Sequence, residues 1–265
     1  MTRRRLKAPL FRAELSADMS NKILTILHQE HSNPGRVGRA LVERGFVLDI
    51  RKPCLGDPLP ETMQNHAGAV IFGGPMSAND DNEAIKREID FCEVALKEDK
   101  PFFGICLGAQ MLAKKLGAKI DFHEKGLVEI GYYPITPTSE GAAIMDWPGH
   151  VYQWHREGFE LPSGATRLAR SERYENQAFR FGRAAFGVQF HPEVTHKMMC
   201  RWTTMAAHRL ELPGAQSRAE HFDGRYQHDP NMRLWLERFL DHWTGLMDRK
   251  DSQNAKSVAD CESPR

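Results

Sequence analysis

One cysteine in the sequence has the local pattern of a catalytic nucleophile. Cys106 lies in the segment PFFGICLGAQ, with a glycine two residues before it and another two residues after it. This G-x-C-x-G pattern is the cysteine form of the nucleophile elbow, in which a strand turns sharply into a helix. The glycines are required because a side chain at either position would clash with backbone in the turn. The pattern predicts a sulfur beside a helix N-terminus, which favours the thiolate; a buried structural cysteine is the alternative.

A histidine and a glutamate later in the chain could supply the acid–base chemistry that such a thiolate needs. Attack on an amide requires an acid that protonates the departing nitrogen. His191 ends an alternating apolar segment, and Pro192 stops further strand pairing there. Glu193 can turn back to His191, hold one imidazole tautomer and stabilise its protonated form. Because Cys106 and His191 are far apart in sequence, only the fold can bring them together.

Two further segments could complete an active site. The tetrahedral intermediates of acyl transfer need fixed N–H donors, and the backbone N–H of Leu107, directly after the cysteine, is one candidate. The second donor is expected from Gly73-Gly74-Pro75, with Gly74 favoured. A plain turn is the alternative there, but the segment follows a short apolar strand, where open α/β sheets bind ligands. His155, in the cluster Tyr152-Gln153-Trp154-His155, could line the pocket; the other histidines are interpreted as ordinary surface or core residues.

The elements that must position these residues alternate between strand and helix. Apolar runs predict strands at residues 22–28, 46–50, 69–72 and 101–105, and helical spacing predicts helices at 37–44, 82–97 and 110–116. This order is typical of a parallel sheet covered on both faces. After residue 120, short strands at 127–134, 167–171, 178–181 and 185–190 predict an antiparallel or mixed extension. Helices at 196–211 and 231–247 close the fold, the second starting at Asp229-Pro230.

The chain is predicted to form one domain over residues 19–249. The basic start, residues 1–18, precedes a second methionine and is interpreted as a leader or a misassigned start, without an apolar stretch that would make it a secretory signal. Residues 250–265 are polar, lack periodicity and are predicted to be a disordered tail.

Composition excludes several classes of function. The 36 Lys and Arg residues nearly balance the 35 Asp and Glu residues, for a net charge of +1, so no global field attracts nucleic acid or an anionic membrane. No apolar run approaches the roughly 18–20 residues of a membrane helix. The five cysteines are scattered, without a C-x-x-C pair, which argues against a disulfide framework or a zinc site. We therefore expect a soluble cytoplasmic protein with reduced thiols and neither nucleic acid nor membrane as a partner.

Taken in order, three motifs resemble those of the class I (triad-type) glutamine amidotransferases, in particular the amidotransferase domain of GMP synthase and its stand-alone relatives. The resemblance covers about residues 20–195 and rests on Gly73-Gly74-Pro75, the segment from Gly104 to Gln110, and the segment from Gln189 to Glu193. It implies a three-layer αβα fold with a central, mostly parallel mixed sheet, which is flavodoxin-like. It also implies hydrolysis of the glutamine side-chain amide to glutamate and ammonia through a γ-glutamyl thioester on Cys106.

The resemblance also assigns roles to the remaining site residues. His191 acts as acid and base, Glu193 orients it, and the N–H groups of Gly74 and Leu107 form the oxyanion hole. No cofactor and no metal are implied. The substrate is held with the help of four more residues: Gly73, Gln110, Trp154 and His155.

The sequence departs from GMP synthase in lacking a partner domain. It contains neither the Ser-Gly-Gly phosphate loop of an ATP-pyrophosphatase nor a G-x-x-x-x-G-K-[ST] loop. We therefore expect a stand-alone member, either a glutaminase subunit for a separate synthetase that uses the ammonia or a peptidase or hydrolase of γ-glutamyl compounds. A non-catalytic regulatory module of the same fold is disfavoured by the intact Cys, His and Glu set. A PfpI-type fold is disfavoured by the His-Pro-Glu motif.

Overall fold

A computed structural model of the chain describes residues 21–261, with side chains up to residue 247. The predicted leader at residues 1–18 lies outside this part. The first half contains β1 (Lys22–Ile26), α1 (Gly35–Glu43), β2 (Val47–Arg51), a 3₁₀ turn (Pro53–Leu55), β3 (Gly68–Ile71), α2 (Glu83–Lys97), β4 (Phe102–Ile105) and α3 (Leu107–Lys115). Each strand and helix predicted in this half is present, with ends shifted by a few residues.

The second half is built mainly from short strands. It contains β5 (Ile120–Phe122), β6 (Glu129–Pro134), β7 (Thr136–Pro137), α4 (Ser139–Ile144), β8 (His150–His155), β9 (Glu157–Phe159), β10 (Ala165–Arg170), β11 (Ala178–Phe181), β12 (Ala185–Val188), α5 (His196–Met205), a second 3₁₀ turn (Ala207–Glu211) and α6 (Arg218–Cys261). No helix in the described part of the chain is both long enough and apolar enough to cross a membrane.

The central sheet has eight strands in the order β2-β1-β3-β4-β12-β11-β10-β7. Strands β2, β1, β3, β4 and β12 are parallel neighbours, whereas β11, β10 and β7 extend the sheet in antiparallel fashion. The predicted mixed sheet is therefore confirmed. Because β4 lies between β3 and β12, the three segments that follow these strands meet at one edge of the sheet.

Apolar side chains cover both faces of this sheet. On one face, Phe103 packs against Phe239 of α6, with ring centroids 4.5 Å apart, in a cluster that also contains residues of α1. The adjacent Phe102 points to the opposite face, into a cluster with residues of α2 and α3. Burial of each such aromatic side chain contributes about 1.5–3 kcal/mol. Successive side chains of a strand point to opposite faces of the sheet, so helices pack on both faces and the fold has three αβα layers.

The structure differs from the sequence prediction at the carboxyl end. α6 begins at Arg218 and continues through Pro230, although Asp229-Pro230 was expected to start a helix. Pro230 is exposed to solvent, so the single intrahelical hydrogen bond that proline cannot donate is lost where water is available. The predicted irregular tail from residue 250 also differs, because α6 extends to Cys261. No glycine or proline interrupts residues 246–261.

Several strands of the second half were not predicted. β8 pairs with β6, and β5 pairs with β9, each in a small two-stranded antiparallel sheet. These segments carry polar residues such as Gln153 and Asp121, and they gain their strand conformation from a partner remote in sequence. The predicted helix at 196–211 is likewise divided into α5 and the second 3₁₀ turn.

Candidate active site

The backbone at Cys106 makes the sharp turn between β4 and α3, with φ 51° and ψ −105°. A Cβ atom on Gly104 would lie 2.6 Å from the carbonyl oxygen of Gly108, and one on Gly108 would lie 2.1 Å from that of Ile71. A positive φ at a residue with a side chain costs about 1–3 kcal/mol and is concentrated at functional sites. The fold therefore holds Cys106 in a strained conformation at the carboxyl end of the sheet.

His191 and Glu193 follow β12 and form a buried pair. Nδ1 of His191 lies 2.8 Å from Oε1 of Glu193, and both residues are buried. The backbone N–H of His191 donates to the carbonyl oxygen of Tyr152 at 2.8 Å, and that of Arg36, at the start of α1, donates to the carbonyl oxygen of Glu193 at 2.9 Å. These contacts fix the backbone on both sides of Pro192, so the carboxylate can orient the imidazole.

The surroundings of His191 favour its protonated form. Burial alone would lower the pKa of His191, but the neighbouring Glu193 and Cys106 outweigh this effect and raise it to about 10. Nε2 of His191 is buried and has no hydrogen-bond partner of standard geometry among the described residues. An imidazolium with an available N–H beside a thiol can stabilise a thiolate and deliver a proton to a departing amine.

The glycines after β3 lie against the same site. A Cβ atom on Gly73 would be 2.7 Å from Cε1 of His191 and 3.4 Å from Cβ of Cys106, so only glycine fits there without displacing the imidazole. Within residues 21–247, the backbone N–H groups of Gly74 and Leu107 donate to no acceptor. Two backbone N–H groups are thus available to donate, one directly after Cys106 and one directly after Gly73, and an oxyanion hole requires such donors.

A cavity of about 480 Å³ opens beside His191 and Glu193. Its wall also contains Gly73, Gly74 and Trp154. The ring of Trp202, from α5, contacts that of His191 edge-on, with centroids 5.0 Å apart. The part of α5 that lines the cavity has the i, i+3, i+4, i+7 spacing of one helix face: Met198, Arg201, Trp202 and Met205. The cavity therefore connects His191 and Glu193 with one face of α5.

The comparison with known proteins identifies the family. Residues 29–201, more than half of the chain, match the family model described as Glutamine amidotransferase class-I. The chain belongs to the class I glutamine amidotransferases. The family resemblance inferred from the three sequence motifs is thereby confirmed.

Known amidotransferases resemble this chain to different extents. The glutamine amidotransferase-like protein YfeJ of Salmonella typhimurium is 30% identical over 83% of this chain and 95% of its own length. The GMP synthase of Aeropyrum pernix is 31% identical over 67% of this chain, which covers only 35% of that enzyme. A solved glutamine amidotransferase of Thermotoga maritima is 32% identical, with a TM-score of 0.74 over 84% of this chain and 97% of its own. One from Methylobacillus flagellatus is 26% identical, with a TM-score of 0.75 over 86% and 94%.

Two of the four residues that were expected to hold the substrate in this amidotransferase lie away from the cavity wall. Gln110 donates from Nε2 to the carbonyl oxygen of Glu157 at 2.8 Å and to Oε1 of Gln189 at 3.3 Å. His155, which was expected to line the pocket, lies instead between the carbonyl oxygen of Glu157 and the carboxylate of Glu129, at 3.0 Å from each. The β6–β8 register places Glu129 opposite His155, so the imidazole contacts the buried carboxylate of Glu129 instead of the cavity. Only Gly73 and Trp154 of that set reach the cavity.

The amidotransferase site also contains contacts that sequence analysis missed. Nε2 of Gln189 lies 3.6 Å from Sγ of Cys106. His28, just after β1, has Nδ1 3.1 Å from the carbonyl oxygen of Gly73 and Nε2 2.7 Å from Oε2 of Glu88. His28 and Glu88 are both buried. Glu88 contacts His28, which in turn contacts the backbone of Gly73, so the pair helps to fix the position of the glycine segment. The position of His28 at the carboxyl end of a central strand was the available signal, but twelve histidines in the chain obscured it.

Proposed function

We propose that the protein hydrolyses the side-chain amide of glutamine, or of a related γ-glutamyl compound, through a γ-glutamyl thioester on Cys106. The single observation that carries this proposal is the buried His191–Glu193 pair beside a cysteine held at φ 51°. The name of the family describes transfer of the glutamine amide group, which requires that the C–N bond of this amide be broken. We propose that it acts in the cytoplasm, where the thiol stays reduced.

The steps follow from the positions of these groups. The Cys106 thiolate attacks the γ-carbonyl carbon, and the N–H groups of Gly74 and Leu107 stabilise the oxyanion, each by about 3–4 kcal/mol. His191 then donates its proton to the amide nitrogen as the C–N bond breaks, releasing ammonia or an amine. The neutral imidazole next accepts a proton from water, which attacks the thioester carbon. The C–S bond breaks, glutamate leaves and the thiolate is restored.

Two physiological settings fit this chemistry. The relatives include GMP synthases, which suggests a separate synthetase subunit that uses the released ammonia. The alternative is a γ-glutamyl peptidase or hydrolase that needs no ammonia acceptor. The cavity of about 480 Å³ beside His191 is large enough for the γ-glutamyl compound that this second function requires.

The direct test combines turnover with labelling. Purified protein is incubated with glutamine and with a γ-glutamyl dipeptide, and ammonia, free amine and glutamate are measured. In parallel, the glutamine-like diazo-ketone 6-diazo-5-oxo-norleucine is added, and the labelled residue is located by mass spectrometry. We expect turnover of at least one substrate and a single adduct on Cys106. Absence of both turnover and adduct would remove the proposal.

A pH profile tests the role of His191. Because Glu193 and Cys106 raise the pKa of His191 to about 10, the acid stays protonated at neutral pH and is lost only as the pH rises through that value. We expect kcat/KM to fall on the alkaline side near pH 10. In Glu193→Gln, which removes the charge that raises this pKa, the fall should begin at lower pH. Using one substrate for both proteins cancels the titration of the substrate itself, and identical alkaline limbs would contradict the assignment.

Gly73→Ala tests the close approach of the glycine segment. The added methyl group would lie 2.7 Å from Cε1 of His191, so the imidazole must move. We expect kcat to fall about 100-fold, the usual effect of a displacement of about 1 Å at a reacting group, with the far-UV spectrum unchanged. Gly149→Ala is the matched control, because no atom lies within 4 Å of a Cβ built there. Wild-type activity in Gly73→Ala would show that the imidazole does not act from its observed position.

A further inference from the structure

We propose that the cavity beside His191 binds the amine portion of a γ-glutamyl substrate, and that Arg209 binds a carboxylate carried by that portion. The inference rests on the proposed function and narrows its substrate class to γ-glutamyl amino acids and similar compounds with an acidic leaving amine.

The wall of the cavity contains the proposed proton donor to the leaving amine. His191, the proposed proton donor to the leaving nitrogen, is in its wall, together with Gly73 and Gly74. Gln110 and His155, which were expected to hold the glutamyl portion, are outside that wall and are hydrogen-bonded within the protein. The leaving amine, and any group attached to it, is therefore assigned to this open space.

The size and lining of the cavity fit a leaving group larger than ammonia. The cavity measures about 480 Å³, within the range of about 300–1,000 Å³ that is usual for small-molecule sites, so it has room for a γ-glutamyl amino acid and not only for glutamine. Apolar and aromatic side chains form much of its wall, among them Phe72, Met198 and Trp202. Concave sites with an apolar lining and a few placed polar groups are typical of small-molecule binding.

Arg209 supplies a positive charge in this wall. It lies in the 3₁₀ turn after α5 and is half-buried, and it is near enough to Cys106 and Arg156 to interact with both electrostatically. Its guanidinium group has no ion pair or hydrogen bond with any residue from 21 to 247. By contrast, Arg36 pairs with Asp229 at 2.6 Å. A half-buried guanidinium without an acidic partner in a cavity is a binding group for a carboxylate.

The other charged residues in the cavity wall also favour an anionic ligand. Arg201 also lines the wall, from the exposed side of α5. Of the two glutamates in the wall, Glu193 is bonded to His191, and Glu30 is exposed to solvent. An anionic leaving group thus meets Arg209 at the wall with no buried unpaired carboxylate to repel it.

Three substrates that differ at one group provide the test. γ-Glutamylglycine and γ-glutamylglycinamide differ only in the terminal carboxylate, and glutamine lacks the second residue entirely. We expect the wild-type protein to prefer γ-glutamylglycine over the amide by about 10- to 100-fold in kcat/KM, the range for a hydrogen bond to a charged group. Arg209→Gln should abolish that preference by slowing γ-glutamylglycine more than the other two substrates, which share only the interaction of Arg209 with Cys106, and Arg209→Lys should retain part of it. Arg39→Gln, at an exposed arginine on α1 outside the cavity, should leave all three rates unchanged.

The outcomes separate this proposal from the proposed function. Wild-type turnover of glutamine without any preference for the carboxylate overturns the subsite and leaves the proposed function intact. An equal loss on all three substrates in Arg209→Gln also overturns it, because Arg209 would then act on the glutamyl portion or on the fold. Turnover of none of the three by the wild type refutes the proposed function and the subsite with it. Binding of γ-glutamylglycine to Cys106→Ala, measured by calorimetry, should weaken with added salt and with Arg209→Gln.

Discussion

Cys106→Ala is expected to reduce amide hydrolysis by at least about 10⁴-fold, the scale at which the loss of a covalent nucleophile is measured in comparable enzymes. No other group near His191 can form the thioester: within the described part of the chain, the remaining thiols belong to Cys54, Cys92 and Cys200. Burial beside Glu88 raises the pKa of Cys54 to about 11, so this thiol stays protonated at neutral pH. Steady-state assays with glutamine and a γ-glutamyl dipeptide measure the loss.

The same position provides its own stability control. Alanine keeps the strained backbone, whose φ of 51° costs a residue with a side chain about 1–3 kcal/mol, and it removes only the sulfur. Glycine adopts that conformation freely, so Cys106→Gly should be inactive yet melt at a temperature no lower than Cys106→Ala. Cys200→Ala, on α5, should keep wild-type activity. A folded Cys106→Ala protein with near-normal turnover would contradict the assigned nucleophile.

His191→Asn is expected to lower kcat by about 10³-fold, within the range for loss of a general acid–base group. Asparagine can hydrogen-bond to Glu193 but cannot exchange a proton near neutral pH. Glu193→Gln should cost less, about 10- to 100-fold, because glutamine can still accept the Nδ1 hydrogen bond that orients the imidazole. Rates of ammonia release for the two variants, compared with wild type, give both values.

The prediction is tested by the difference in kcat between the His191→Asn and Glu193→Gln variants. Equal losses would mean that the roles of acid and orienting group are misassigned. His196→Asn changes an exposed histidine on the neighbouring helix and should leave kcat unchanged. Because His191 and Glu193 are both buried, thermal unfolding of each variant should be measured, so that a loss of folded protein is not counted as a loss of catalysis.

The parallel half of the fold was predictable from local sequence. β3 and β4 are continuous apolar runs of four residues, and β1 is apolar except for the exposed Lys22 and the buried Thr25, because strands covered on both faces bury nearly every side chain. The antiparallel additions were less predictable, since β8 is half polar, β5 has only three residues, and the two strands depend on β6 and β9 for pairing. The predicted start of the last helix at Asp229-Pro230 was wrong, because a proline on an exposed helix face does not interrupt α6.

The site was predictable where backbone geometry demands particular residue types. Glycine at positions 104 and 108 follows from the contacts of the elbow, and the His-Pro-Glu order places a carboxylate two residues from an imidazole. Gln110 and His155 illustrate the opposite case. Their residue types suit substrate binding, but neighbouring strands supply Glu157 and Glu129 as partners within the protein. The residue type indicates which groups a side chain can bind, but the tertiary structure determines which of these groups lies beside it.

Local sequence alone determined the elbow at Cys106, the succession of strands and helices along the first half and, through three short motifs, the family. These features depend on short-range sterics and on periodicity along a few residues. Tertiary structure alone decided that β12 lies beside β4, which brings His191 to Cys106, and that α5 and the turn after it close one side of the site. It also placed Arg209, which as a residue in sequence resembles any solvated arginine, in the cavity wall, where it forms no ion pair with any residue from 21 to 247. The physical reason is that pairing between strands and the burial of charge depend on which remote segments pack together, and no local pattern encodes that choice.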